Sequence, residues 1–168
     1  MSNDCSFGGM GTITLNGATL SIPMANRLYN VCEGSFKLTS GIITGSGGTL
    51  VNRGSAEWTG ASLVAFNNFQ NEHTLTINGS NSKTFQSSQL GNYGTIYHMG
   101  SGSLLFSNGS QFHNMAGDEY FLYSDAGFLS ADGTGAFINN GTLRKDYSYN
   151  TSNIEVPFTN NFIIDVDS

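Results

Sequence analysis

What most constrains the fold of this 168-residue chain is a recurring triplet: an aromatic residue or leucine, any residue, then asparagine. Phe66-Asn-Asn68, Leu90-Gly-Asn92, Phe112-His-Asn114, Phe137-Ile-Asn139 and Phe158-Thr-Asn160 set the asparagines 24, 22, 25 and 21 residues apart. A second marker, Gly48-Thr-Leu50, Gly94-Thr-Ile96 and Gly141-Thr-Leu143, recurs at 46 and 47 residues, two steps of the first. Self-similarity at such a period marks a repeat architecture. A unit of about 23 residues cannot bury its own apolar face, so each must stack on its neighbours.

Between triplets the apolar residues alternate, as in Thr74-Leu-Thr-Ile77. After the last one, Phe162, Ile164 and Val166 alternate with Ile163 and Asp165. Period two means strands. Three or so short strands per unit, stacked coil on coil, predict an all-β fold: a right-handed parallel β-helix (solenoid) with 21–25 residues per coil. Equivalent residues of successive coils then lie about 4.8 Å apart. Phe66, Phe112, Phe137 and Phe158 would stack as a core column. Asn68, Asn92, Asn114, Asn139 and Asn160 would form a structural ladder, each amide donating to the next carbonyl at a corner where Asn also tolerates left-handed backbone. Ala136-Phe-Ile-Asn-Asn-Gly-Thr-Leu-Arg-Lys145, which resembles an Asn-Gly hairpin, becomes a coil corner. A sandwich or jelly roll shares short strands and turns but does not need the same pair at every step.

Residues 41–168 read as repeat coils, about five of them from residue 44 onward, rising near 25 Å. Residues 1–40 read as N-terminal strands or a cap of the same single domain. Met10–Leu15 and Ala18–Ile22 look like strands. Ser21 fits the N-cap of a short helix running to Gly34, and Met24-Ala-Asn26 alternatively fits a degenerate corner. Cys5 and Cys32 are a candidate disulfide that would hold this end in an oxidising compartment; two separate thiols are the other reading.

Charged residues make up 11% of the chain, against roughly 25% in typical domains. Twelve Phe and seven Tyr supply enough apolar surface to exclude disorder. Twelve acidic residues against six basic ones, with no basic cluster beyond Arg144-Lys145, exclude nucleic acid as a partner. No apolar run reaches the length of a membrane span. Met1-Ser-Asn-Asp lacks the character of a signal peptide, so export would need a signal carried elsewhere.

Three stretches carry a resemblance: Ser110-Gln-Phe-His-Asn-Met-Ala-Gly117, Gly133-Thr-Gly-Ala-Phe-Ile-Asn-Asn-Gly-Thr-Leu-Arg-Lys145 and Ile154-Glu-Val-Pro-Phe-Thr-Asn-Asn161. Residues 103–166 resemble the β-solenoid repeats of large bacterial secreted and cell-surface proteins, and 44–102 do so more loosely. The chain departs from that pattern at Asp146-Tyr-Ser-Tyr-Asn150, where such repeats tend to be Gly-rich. The resemblance implies an extracellular or cell-surface scaffold, stalk, adhesin or filament segment.

No catalytic residue, cofactor or metal site is expected. His73, His98 and His113 read as satisfied surface histidines; the solenoid positions equivalent to His113 hold no other titratable group. Asp118 and Glu119 are adjacent on a strand and face opposite ways, Asp125 and Asp132 are turn residues, and Asp165 and Asp167 are solvated. The Gly-Gly-x-Gly-x-Asp repeat of calcium-binding solenoids is missing. Tyr93, Tyr97, Tyr120 and Tyr123 are the candidate carbohydrate-binding residues of a wider set that includes Trp58, Tyr147 and Tyr149. A groove of exposed Tyr beside Asp118–Asp132 would favour sugar binding. The leading expectation is a non-enzymatic structural rod, homo-oligomeric or filamentous through its solenoid ends. A polysaccharide-binding adhesin module is second and a polysaccharide-degrading enzyme third.

Overall fold

The structure is a computed structural model and describes residues 4–45, 47–60, 62–64 and 68–167. Among these, twenty-two short strands form three parallel sheets and no helix occurs. Sheet A stacks β1 (Cys5–Gly9), β4 (Arg27–Cys32), β7 (Thr49–Asn52), β10 (Asn68–Asn71), β13 (Gln89–Asn92), β16 (Gln111–Asn114), β19 (Ala136–Asn139) and β21 (Phe158–Asn160). Sheet B stacks β2 (Thr12–Leu15), β5 (Ser35–Leu38), β8 (Ser55–Trp58), β11 (Thr74–Ile77), β14 (Thr95–His98), β17 (Glu119–Leu122), β20 (Thr142–Lys145) and β22 (Ile163–Val166). Sheet C stacks β3 (Ala18–Ser21), β6 (Gly41–Thr44), β9 (Ser62–Val64), β12 (Lys83–Gln86), β15 (Leu104–Ser107) and β18 (Phe128–Ser130). The chain visits A, B and C in turn, then pairs in parallel with the coil before. The result is a β-solenoid of about seven turns with roughly 22 residues per coil. The eight rungs of sheet A stand about 34 Å tall at the usual strand spacing.

Residues 5–44 wind in the same three-sheet register as the rest. Arg27–Cys32 is strand β4, not part of a helix begun at Ser21. Its Asn30 and Cys32 both turn inward, the two-residue period of a strand, and Leu28 stacks on Leu50.

The asparagine ladder is longer than the triplets suggested. Asn30 donates to the Asn52 carbonyl oxygen (2.6 Å), Asn52 to Asn71 (2.7 Å), Asn71 to Asn92 (2.8 Å) and Asn92 to Asn114 (2.8 Å). Asn114 donates to Asn139 (2.8 Å) and Asn139 to Asn160 (2.7 Å). Each of these six donors also gives a hydrogen to the backbone carbonyl that opens the next coil's sheet B strand, as Asn92 does to Glu119 (3.0 Å). All six are buried, so the amides are satisfied where water cannot reach them.

Asn68 is a correction. It occupies the first position of β10, opposite Thr49 and Gln89, and Asn71 fills the ladder position three residues on. Phe66 lies outside the described residues, and the core position it was assigned belongs to Phe69, paired with Leu50 and Leu90. The stretch 66–71 holds two triplets, Phe66-Asn-Asn68 and Phe69-Gln-Asn71, and only the second is in register. Gly48-Thr-Leu50 likewise leads into sheet A, whereas Gly94-Thr-Ile96 and Gly141-Thr-Leu143 lead into sheet B. No ladder asparagine has positive φ; the described non-glycine residues that do are Ala25, Ser87, Asn108 and Tyr147. Asn is therefore selected for its amide, not for a left-handed corner.

The core column of sheet A runs Leu28, Leu50, Phe69, Leu90, Phe112, Phe137, Phe158. Its neighbouring rings are tilted or edge-on, with Phe112–Phe137 centroids 4.8 Å apart at 63° and Phe137–Phe158 5.1 Å apart at 55°. Edge contact suits the aromatic quadrupole better than a face-to-face pile.

Cys5 and Cys32 are not joined by a disulfide. Cys5 pairs with Leu28 and Cys32 with Gly9, so the two sit four positions apart along adjacent strands. That offset is about 13 Å, well beyond the roughly 7 Å that a bridge can span.

The interior of the middle coils also holds polar side chains beyond the ladder. His98 is fully buried, not a surface histidine. Its Nε2–H donates to the Gly102 carbonyl (2.8 Å), so Nδ1 accepts from the Tyr120 hydroxyl (2.7 Å). Burial, with a further push from nearby Lys83, lowers the imidazole pKa to about 4. Lys83, also buried, donates to the Asn81 carbonyl (2.6 Å), and burial lowers its pKa too.

Two outcomes follow for stability. In Asn92→Ala the buried Asn71 amide loses its acceptor and the Asn114 oxygen its donor. Urea unfolding should show a loss of about 2–4 kcal/mol, while Asn160→Ala at the exposed rim should cost about 1 kcal/mol or less. Equal losses would mean that the ladder is not the stabilising element. For His98, the unfolded chain binds more protons than the folded one between pH 6.5 and about 4. This contribution is therefore whole above pH 6.5 and is lost as the pH falls toward 4, by about 3 kcal/mol. In His98→Gln the decline in stability between pH 7 and pH 4 should shrink by about that amount.

Candidate functional site

Outward-facing chemistry concentrates at the corner between sheets B and C in the last coils. The outer column of sheet B runs Thr14, Lys37, Glu57, Thr76, Tyr97, Phe121, Arg144 and Asp165. Its two aromatics stack, with Tyr97 and Phe121 5.3 Å apart at 15°. Tyr123, just beyond β17, continues the row 5.6 Å from Phe121, and Tyr147 closes it edge-on 5.4 Å from Tyr123. Partial burial first, then the Tyr97 phenol and the Asp146 carboxylate, raise the Tyr123 pKa, so its hydroxyl stays protonated and able to donate.

The next coil breaks the pattern. Between Lys145 and Phe158 there is no sheet C strand, only a single bridge between Phe128 and Ile154. The first part of this excursion, residues 146–150, folds back over the corner beneath it. Asp125 holds it there. Its carboxylate accepts from the Ser148 hydroxyl, from Asn150 Nδ2 (2.9 Å) and from Lys145 Nζ (3.3 Å). Lys145 in turn donates to the Ser124 carbonyl (3.0 Å) and the Ser152 hydroxyl (2.9 Å). The bonds from Ser148 and Asn150, ahead of Lys145, hold the Asp125 pKa down to about 2, so it is ionised at any ordinary pH. Between the loop and the coil below lies an open groove of about 510 Å³, lined by Met99, Ser101, Tyr123, Ser124, Asp125, Tyr147, Ser148, Tyr149 and Asn150. Tyr147 and Tyr149 are 81% and 91% exposed and take no part in the core.

The four tyrosines singled out from the sequence do not form one platform. Tyr97 and Tyr123 lie in the aromatic row. Tyr93 stands on the opposite edge of sheet B, at the corner before β14, half-exposed. Tyr120 is a correction: it is completely buried, packed edge-on against Phe112 and Phe128. Strand alternation sends Tyr120 inward and Phe121 outward. Trp58 of the wider set is also buried. The residues that build the groove beside Tyr123 are Tyr147, Tyr149 and Asp125. The signal for them was the departure at Asp146-Tyr-Ser-Tyr-Asn150 from the Gly-rich repeat.

Other carboxylates are engaged locally. Asp132 accepts from Thr134 Oγ1 (2.6 Å) and from the Asn108 backbone N–H (2.7 Å), which fixes its own turn. Asp165 and Asp167 flank Arg144 at 3.6 and 2.5 Å. Among the described residues no three His, Cys, Asp or Glu side chains converge as metal ligands would. No protein-family description, curated protein or solved structure matches the chain.

The Asp125 contacts make a prediction about the loop. Asp125→Asn removes the charge that holds Lys145, Ser148 and Asn150, and amide hydrogen exchange at residues 146–150 should quicken while β16 and β19 exchange as before. Unchanged exchange in the loop would show that its own backbone holds it.

Proposed function

We propose that the chain is a structural segment of an extracellular or cell-surface assembly, a stiff β-solenoid rod. The observation that carries this reading is the unbroken ladder of seven asparagines, which ties the coils together from Asn30 to Asn160. Backbone pairing in the sheets and a side-chain ladder at one corner together resist bending and local opening, because from Asn30 to Asn160 no coil can separate from the next without breaking bonds of both kinds. The low charge and the resemblance to secreted bacterial repeats support the same placement.

The rims support growth by stacking. At one, β1, β2 and β3 are edge strands; at the other, β21 and β22 are, with Phe162, Ile163, Ile164 and Val166 exposed. Unpaired strand edges beside apolar surface are templates for another coil, whether of the same chain or of a second copy. The ties of Asp125, Asp132, Asp165 and Asp167 to neighbouring loops and cations favour a scaffold over a hydrolase.

Imaging tests this directly. Immunogold electron microscopy of the source cells should place the chain outside the cell, and cryo-electron microscopy of the native assembly should show it as part of an elongated rod. A cytoplasmic location, or a compact monomer at every concentration, would overturn the reading.

A further inference from the structure

We propose that the groove between Tyr123, Tyr147, Tyr149 and Asp125 binds a neutral polysaccharide chain. This goes beyond the structural role, since a rod needs no site on its side.

The argument begins with what the groove displays. Exposed aromatic rings carry a negative face, and the faces of a pyranose ring carry weakly positive C–H bonds. Rings held at fixed places are stacking platforms for such a sugar. A sugar also carries hydroxyls at its rim, which need both donors and acceptors. The groove supplies both in the Asp125 carboxylate, Ser101, Ser148 and Asn150. Aromatic walls with a few well-placed polar groups are the general form of a small-ligand site, and about 510 Å³ lies within the usual range of roughly 300–1,000 Å³.

The electrostatics select the class of sugar. Lys145 is mostly buried and already donates to Asp125, Ser124 and Ser152. Arg144 is held by Asp146, Asp165 and Asp167. Both cations are paired, and the four carboxylates of Asp125, Asp146, Asp165 and Asp167 outnumber the two of them, so the corner carries net negative charge. A uronate, sulfate or phosphate would find repulsion there without a counter-charge, whereas a neutral glycan would find only hydrogen-bonding partners.

The loop is also set in advance. Tyr147 sits at φ 58°, a region costly for a bulky side chain, and the Asp125 contacts hold the loop there. A site ordered before binding loses less entropy when the ligand arrives.

A glycan array printed with cellohexaose, xylohexaose, mannohexaose, galactohexaose and polygalacturonate provides the test. The array is read with the wild-type protein and with Tyr147→Ala, Tyr149→Ala and, as a control outside the groove, Tyr93→Ala. Retention on at least one neutral glycan is expected, weakened about tenfold or more by Tyr149→Ala or Tyr147→Ala, unchanged in Tyr93→Ala and insensitive to salt. The proposal is overturned if no neutral glycan is retained, if only polygalacturonate is, or if Tyr93→Ala weakens binding as much as the groove variants. Imaging judges the rod independently of these results.

Discussion

A primary carboxamide carries two N–H donors and one carbonyl acceptor, and burying a row of them is tolerable only if every hydrogen meets an oxygen. In this solenoid that requirement sets the geometry at one corner. Each ladder asparagine must reach the next asparagine and also the carbonyl that opens the next strand of sheet B, so sheets A and B are locked together at each turn. The corner must then be tight. At Gly94 a Cβ would fall 2.3 Å from the His73 carbonyl oxygen, so glycine is needed there for close approach between coils and not for an unusual φ. Where the corner lengthens, as across Met115–Asp118, the ladder continues regardless, with Asn92 still bonded to Asn114 and Asn114 to Asn139.

The regular part of the molecule and the chemically distinctive part are separate in the chain. Inward positions repeat because stacking demands it; Leu, Phe and Asn recur in columns. The groove appears where the repeat fails, in the excursion after Lys145 that makes no strand in sheet C. A single carboxylate one coil below, Asp125, organises that excursion, so a break in regular structure is ordered by a charge rather than by backbone pairing.

The architecture was readable in the residues because a solenoid writes its contacts at one sequence interval. Asn92, Asn114, Asn139 and Asn160 stack as their spacing implied. Asn30 and Asn52 follow Leu28 and Leu50 in the same Leu-x-Asn triplet that marks Asn92, so their place in the ladder is written in the residues as well. Asn68 and Asn71 each complete a valid triplet, and only the strand register chooses between them. Parity was the other blind spot: in Tyr120-Phe121 either ring could face the core, and the hydroxyl bond to His98, a residue 22 positions away, goes with the inward choice. The groove was the least readable feature, since Asp125 and Asn150 meet across 25 residues through contacts that no local pattern announces.

The ladder also has a sense. In each of the six ladder bonds the amide nitrogen belongs to the earlier coil and the oxygen to the coil that follows. Beyond Asn30 the column ends on Phe7, which faces it in register and has no amide to offer. At Phe7 the ladder position therefore changes from a carboxamide to an aromatic ring. Such a column has a grain, as timber does, and anything laid against it must take account of which way that grain runs.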